Sequence, residues 1–180
     1  SAYGDAGDDT SSGIGNMFGG TGNDVLNAGS YKGERDALPD AVGGDGNDTI
    51  TASDGSDGGG DFDGGTGDDV FSVYTGSDIH GGDGNDMIIS TRSELCGHSS
   101  IIDLGTGADV LAIDPNNHDG AYDFSSGTEH FVTVTDFDVA SGDTLGIIVP
   151  QEHIGDLTVS IVQDPAGQFT EVSLTINGTS

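Results

Sequence analysis

The sequence predicts an all-β solenoid, a fold in which successive coils of β-strand stack on one another. The first observation is a nine-residue unit that recurs almost unchanged, as GGTGNDVLN from Gly19, GGDGNDTIT from Gly43, GGTGDDVFS from Gly64 and GGDGNDMII from Gly81. Each copy reads Gly-Gly-x-Gly-x-Asp-x-apolar-x, and such self-similarity is typical of solenoids, in which each repeat rests on its neighbours. The second observation is that no segment has the periodicity of an amphipathic helix.

Two weaker copies of the unit extend the series at both ends. Residues 4–12 (GDAGDDTSS) and residues 104–112 (LGTGADVLA) keep some of its glycines and its Asp, at Gly4, Gly7 and Asp9 in the first and at Gly105, Gly107 and Asp109 in the second. We name each loop by its first residue, as loops 4, 19, 43, 64, 81 and 104, so that successive starts are 15, 24, 21, 17 and 23 residues apart. This spacing clusters around one full coil of about two nine-residue units.

The half-coils between the loops are irregular. Residues 10–18 and 55–63 keep the phase of the repeat but carry Gly15 and Gly60 where the loops have Asp. The variation in length also falls between the loops, in the insertions 28–42, 73–80 and 90–103. The sequence therefore predicts a lopsided coil, with a regular column of loops on one side and irregular connections on the other.

The residue types in the loops point to a calcium site. Glycine at positions one, two and four allows a tight turn with positive φ and brings carbonyl oxygens together. The Asp at position six adds a hard anionic oxygen, and a donor set of carbonyl and carboxylate oxygens suits Ca²⁺. One loop supplies too few oxygens, so two successive loops must stack to complete six or more. The apolar residue at position eight starts an inward-facing strand, which predicts a stacked core of Leu26, Ile50, Phe71, Ile88 and Leu111.

Composition limits the partners and the means of folding. The 180 residues include 32 Asp and Glu against 3 Lys and Arg, for a formal net charge of −29. A chain this acidic repels nucleic acids and anionic membrane surfaces, and it has no apolar run long enough to span a membrane. Cys96 is the one cysteine, so no internal disulfide is possible. Because the opposite half-coils contribute few large apolar residues, we expect a thin core and a fold that depends on bound metal.

The repeats stop after residue 112, and the remainder has the composition of strands. Residues 130–135, 145–149, 157–162 and 169–176 are the predicted strands, and residues 163–167 (QDPAG) are a plausible hairpin loop. An open coil exposes a sheet edge that needs a cap. The sequence therefore predicts two regions, a calcium-binding roll over 1–112 and a β-rich C-terminal capping region over 113–180, with residues 121–180 forming the cap itself.

The loops resemble those of the RTX (repeats-in-toxin) family, whose hemolysin-type nonapeptides form a calcium-binding domain. The resemblance covers residues 4–112, and 132–138 (VTVTDFD) with 142–145 (GDTL) looks like the stretch that closes such rolls. It implies a right-handed parallel β-roll in a larger secreted bacterial protein. It also implies export by type I secretion machinery, which reads a C-terminal signal, and folding outside the cell where calcium is abundant.

The resemblance also implies the ligands of each ion. Carbonyls at positions one and three with the Asp of one loop, and carbonyls at two and four with the Asp of the next, would hold it. The implied metal residues are Gly19, Gly20, Thr21, Gly22, Asp24, Gly43, Gly44, Asp45, Gly46, Asp48, Gly64, Gly65, Thr66, Gly67, Asp69, Gly81, Gly82, Asp83, Gly84, Asp86, Gly105, Gly107, Asp109 and Asp9. Six loops offer up to about five Ca²⁺ sites, and five ions would bring the net charge to about −19.

Other functions find less support in the sequence. It has neither an HExxH zinc motif nor a GxSxG nucleophile elbow, so we do not predict an enzyme. The alternative to a folding module is a calcium-dependent module that binds a polysaccharide or a surface through the insertions. Those insertions contain the basic residues Lys32, Arg35 and Arg92, although solvated surface loops are the simpler interpretation. Pairing of Arg92 or Lys32 with the acidic surface would also explain them. The five histidines are scattered along the sequence, which does not favour a transition-metal site. Cys96 and His98 lie two residues apart, but a structural thiol is a simpler interpretation than a reactive pair.

Overall fold

Two parallel β-sheets, joined coil by coil into a β-roll, make up most of the described structure. The computed structural model describes residues 1–29, 40–52, 60–74, 76–91, 100–114, 132–148, 157–163 and 170–176. Within these ranges all regular structure is strand. The all-β parallel solenoid expected from the repeats is thus confirmed.

Sheet A contains the strand that enters each loop, and sheet B contains the strand that leaves it. In order along sheet A lie β1 (Ala2–Tyr3), β3 (Met17–Thr21), β5 (Ala41–Asp45), β7 (Asp61–Thr66), β9 (Asp78–Asp83), β11 (Ser100–Asp103) and β13 (Val132–Val134). Sheet B consists of β2 (Thr10–Gly13), β4 (Val25–Ala28), β6 (Thr49–Ala52), β8 (Val70–Tyr74), β10 (Met87–Thr91), β12 (Val110–Asp114) and β14 (Thr144–Ile147). Neighbouring strands in both sheets pair in parallel, as stacked coils require.

The repeat sets the register of this pairing. In sheet A, Gly20 pairs with Gly44 and Gly44 with Gly65, so equivalent glycines stack from coil to coil. The turns of loops 19, 43, 64 and 81 therefore lie on one side of the roll. The connections on the other side differ in length, as the sequence predicts, and most of their residues lie outside the described ranges.

Two apolar ladders fill the space between the sheets. The predicted ladder on sheet B is confirmed, with Leu26, Ile50, Phe71 and Ile88 wholly buried and Leu111 1% exposed. Sheet A supplies a second ladder in register, which consists of Met17, Ala41, Phe62, Ile79 and Ile102, each at most 1% exposed. The prediction of a thin core was wrong in this respect. The irregular half-coils hold large residues in phase, and only Ala41 among the five is small.

Both sheets continue past residue 112. Strand β13 pairs with β11 and β14 pairs with β12, each in parallel. Strands were predicted at both places, but the sequence did not show that they add to the two sheets of the roll. Further on, β15 (Leu157–Gln163) and β16 (Thr170–Ile176) form a two-stranded antiparallel sheet, which confirms the predicted hairpin strands. Among the described residues, no helix has the length and apolarity needed to cross a membrane.

Candidate metal centre

Glycines shape the turns of the loops in two different ways. The second and fourth positions have positive φ, as at Gly20 (110°) and Gly22 (128°), a conformation that L side chains rarely adopt. The first position does not, so the expectation of positive φ there was wrong. At this position the constraint is space: a Cβ atom added to Gly43 would lie 2.6 Å from the carbonyl oxygen of Gly64 and closer still to the carboxylate of Asp48.

The sixth-position aspartates form one column along the turns, which we call the acid column: Asp9, Asp24, Asp48, Asp69, Asp86, Asp109 and, in the last coil, Asp143. Each Oδ1 atom from Asp24 onward accepts a hydrogen bond from the backbone amide of the preceding member. The N–O distances are 2.7 Å at Asp24, Asp48 and Asp69, 2.8 Å at Asp86 and Asp109, and 3.1 Å at Asp143. These bonds fix the rotamer of each carboxylate.

The second oxygen of the five central carboxylates has no partner. The Oδ2 atoms of Asp24, Asp48, Asp69, Asp86 and Asp109 are buried and accept no hydrogen bond, and each of these residues is only 1% exposed. A Cβ atom on Gly81 would meet both Asp86 Oδ2, at 2.6 Å, and the carbonyl oxygen of Leu104, so the two oxygens converge on one place between the coils. A buried anionic oxygen without a donor is costly, and a cation is the group that satisfies it.

The pKa values describe the same shortage of positive charge. Burial raises the pKa of Asp69 to about 7 and that of Asp86 to about 6; the amide hydrogen bond that each accepts acts in the opposite direction, and neighbouring carboxylates add to the rise. Burial also raises the pKa of Asp48 and of Asp109. Without a metal, these four carboxylates are therefore inclined to bind a proton.

The donor set fits the implied metal. It contains hard oxygens only, from the carboxylates and from the carbonyls of the stacked turns, which is the chemistry of a Ca²⁺ site. The third-position carbonyls of Asp45, Thr66 and Asp83 also accept amide hydrogen bonds of 2.7 Å from the fourth position of the preceding coil. Their side chains are exposed, and Thr66 donates its hydroxyl to Asp45 at 3.3 Å. Of the described residues, no three His, Cys, Asp or Glu side chains form a metal cluster.

A ladder of hydrogen bonds at position five, the position-five ladder, was not predicted from the sequence. The Oδ1 atoms of Asp8, Asn23, Asn47, Asp68 and Asn85 each accept the backbone amide of the fifth-position residue in the following coil, at 2.8–3.0 Å. The signal was present, because every loop but the last has Asn or Asp at this position. A position-five side chain thus accepts from the following coil, whereas a carboxylate of the acid column accepts from the preceding coil.

The two ends of the acid column differ from its centre. Asp9 is only partly buried, and its Oδ2 accepts the amide of Asp5 at 3.1 Å. At the other end, Asp143 is 6% exposed, and its Oδ2 accepts the amide of Asp138 at 2.7 Å. Asp143 was not predicted as a site residue, although the GDTL segment that contains it had been singled out as closing the roll. The pairing of Val110 with Thr144 places Asp143 beside Asp109.

The other candidate groups are not brought to this site. His80 lies on the outer face of sheet A, with Nδ1 3.5 Å from Asp103 Oδ2, and its side chain is 57% exposed. The hydrogen bond with Asp136 raises the pKa of Asp103. The predictions for Lys32, Arg35, Arg92, Cys96 and the remaining histidines fall outside the described residues, as do most positions of the insertions 28–42 and 90–103.

Comparison of the chain with protein-family models, with curated proteins and with solved structures gave no match. The resemblance to the RTX family therefore stays a prediction that rests on the motifs.

Proposed function

We propose that this chain is a calcium-binding module whose folding is coupled to Ca²⁺ binding. The observation that carries the proposal is the row of five buried Oδ2 atoms without partners in the acid column. Their five carboxylates belong to adjacent coils, so in the absence of cations each is near at least one other negative charge. Ions held between the coils would supply the missing positive charge and join neighbouring turns, so that binding energy becomes folding energy.

The donor chemistry favours Ca²⁺ over other common cations. Carboxylate and carbonyl oxygens bind transition metals less well than nitrogen or sulfur ligands do. Mg²⁺ demands a rigid octahedron and gives up its waters reluctantly, whereas Ca²⁺ accepts six to eight oxygens in a flexible arrangement. A site built from stacked backbone turns matches the second description.

The biological setting follows from the resemblance to the RTX family rather than from the structure. We infer that the chain belongs to a larger secreted bacterial protein of the RTX type, exported by type I secretion machinery and folding outside the cell. The proposed role is non-enzymatic. No contact or cavity in the described residues favours the polysaccharide-binding or surface-binding alternative, because its predicted surface lies mostly outside them.

Far-ultraviolet circular dichroism of the metal-free chain during a calcium titration tests the proposal, with magnesium titrated in parallel. We expect a cooperative gain of β signal at roughly 0.1–1 mM Ca²⁺, the range of extracellular modules, and little change with magnesium. A chain that is fully folded in chelator, with a signal that calcium does not alter, would contradict the coupling of folding to calcium.

A further inference from the structure

The acid column does not share the boundaries of the nonapeptide repeats. Six loops predict sites between each successive pair, the first of them between loops 4 and 19. The unpartnered Oδ2 atoms start one coil later, at Asp24, and extend to Asp109 in the last loop, which has Leu104 in place of the first glycine. The inference drawn from this offset rests on the proposed calcium binding and concerns which coils bind.

At the start of the column, Asp9 Oδ2 lies near the Gly19 carbonyl oxygen, as in the central turns, but it also accepts a backbone amide. Loop 4 has Asp5 at position two, where the other loops have a glycine with positive φ, and no described residue other than glycine has positive φ. The Asp5 amide donates to Asp9 Oδ2 at 3.1 Å. No second-position glycine does the equivalent for the five central carboxylates, since their Oδ2 atoms accept no hydrogen bond. The one loop with Asp instead of glycine at position two is therefore also one in which the carboxylate Oδ2 accepts a hydrogen bond.

At the far end, the last loop is followed by a coil that is not a nonapeptide. Gly105 and Gly107 keep the positive φ of the motif, at 94° and 144°, and Asp109 remains 1% exposed with an unpartnered Oδ2. The following coil contributes two carboxylates. Asp136 accepts the amides of Leu104 and Gly105 at 2.8 and 2.7 Å, and Asp143 accepts the amide of Asp109. This turn has the buried anionic oxygen that the first turn lacks.

We propose that the cation column is displaced by one coil from the repeats: the space between loops 4 and 19 is closed by the Asp5 amide, and a divalent-cation site lies between loop 104 and the coil of residues 136–143. The Asp109 carboxylate is its anionic ligand, beside Asp136 and Asp143. The number of sites is then five, one for each unpartnered Oδ2. Asp5 is a positioning residue that keeps the first turn free of metal.

The test is the calcium content of the full chain, measured by equilibrium dialysis and by native mass spectrometry at saturating calcium. Two matched variants, Asp9→Asn and Asp109→Asn, keep an Oδ1 acceptor and remove one negative charge at opposite ends of the column. We expect five ions in the wild type and in Asp9→Asn, and four in Asp109→Asn. A loss at Asp9 with no loss at Asp109 would overturn the displacement.

A gain-of-site variant keeps the test decisive if Asp109→Asn fails to fold. Asp5→Gly restores the motif of loop 4, and we expect six bound ions instead of five, with circular dichroism showing a folded chain. Glycine retains the backbone amide but can adopt the positive φ of the other second positions. Five ions in this variant would show that the residue at position two does not decide whether the first turn binds metal, and would overturn that half of the proposal. A wild type that binds no calcium would instead refute the proposed function, so the two failures are distinguishable.

Discussion

The two sides of the roll connect the same sheets by opposite strategies. On the turn side, loops 19, 43, 64 and 81 repeat residue by residue, and their backbones stack glycine on glycine. On the other side, the connections range from residues 14–16 between β2 and β3 to residues 115–131 between β12 and β13. Yet both sheets pack fully buried ladders into the core. Identity of sequence is therefore needed at the turns, whereas burial needs only an apolar residue in the right phase.

The largest effect is expected from Asp69→Asn, at the centre of the acid column. Asparagine keeps the Oδ1 acceptor for the Asp48 amide but loses a negative charge, which even at an effective dielectric constant of 20 attracts a unit charge 4 Å away by about 4 kcal/mol. We expect the calcium midpoint of folding to rise by at least about tenfold, as followed by circular dichroism.

The neighbouring substitution Asp68→Asn is the matched control for that experiment. Asp68 is exposed and bonds the Asn85 amide through Oδ1, which asparagine retains, and other loops already have Asn at this position. We expect a midpoint within about twofold of the wild type. Equal effects of the two substitutions would mean that the charge of the column is not what binds the ion.

Next in size are truncations of the two large aromatic side chains in the core. Phe62 on sheet A and Phe71 on sheet B are both wholly buried, so changing either to Ala should cost about 3–5 kcal/mol, measured by denaturant unfolding in saturating calcium. Val70→Ala, at a side chain that is 38% exposed, should change stability by less than about 0.5 kcal/mol. A negligible cost at Phe62, with a large cost at Phe71, would show that sheet A contributes little to the stability of the core.

A smaller cost is expected where glycine is replaced in a turn. Gly65 has a φ of 100°, so Gly65→Ala should destabilise the calcium-bound fold by roughly 2 kcal/mol, and contact of the new Cβ with the Gly44 carbonyl adds to this. Gly13→Ala, outside the turns, meets nothing within 4 Å and should be tolerated. Thermal unfolding of both variants makes the comparison, and a similar loss at Gly13 would argue against special demands at the turns.

The smallest effect concerns pH in the absence of metal. Because the folded-state pKa values of Asp69 and Asp86 are raised to about 7 and about 6, protons bind the folded chain more tightly than the unfolded chain. The resulting stability is complete below the ordinary carboxyl pKa and is lost as pH rises through 6 to 7. In chelator we therefore expect more residual β signal by circular dichroism at pH 5 than at pH 8. The opposite order would show that these carboxylates do not carry this linkage.

The sequence predicted the parallel roll and one of its two apolar ladders. The parallel roll, its register and the ladder from Leu26 to Leu111 follow from the nonapeptide, because each residue type returns at the same position. The second apolar ladder was missed although its members share a position: Met17, Phe62 and Ile79 each stand two residues before the first glycine of the next loop. The residues around them differ from coil to coil, so that only the pairing of strands made their common phase evident.

Hydrogen-bond direction was equally hidden from the sequence. Asn and Asp at position five are compatible with many turn conformations. The sequence does not show which neighbouring coil donates a hydrogen bond to them. Likewise, Asp5 reads as a degraded position until its amide is seen to reach Asp9. Asp143 was overlooked because Asp138, Val139 and Ser141 stand where the motif has its glycines. Strand pairing alone places it at the end of the column.

The position-five ladder and the acid column bond to opposite neighbours, and this affects how such a chain can change in length. Each turn holds the following coil through position five and the preceding coil through position six, so every central coil presents the same upper and lower surface. A central coil can thus be removed or duplicated without changing the type of contact between coils. Excising residues 43–63 in frame would bring loop 64 onto loop 19 with both sets of bonds remade. Unequal recombination within the repeated DNA could therefore lengthen or shorten the roll without designing a new interface.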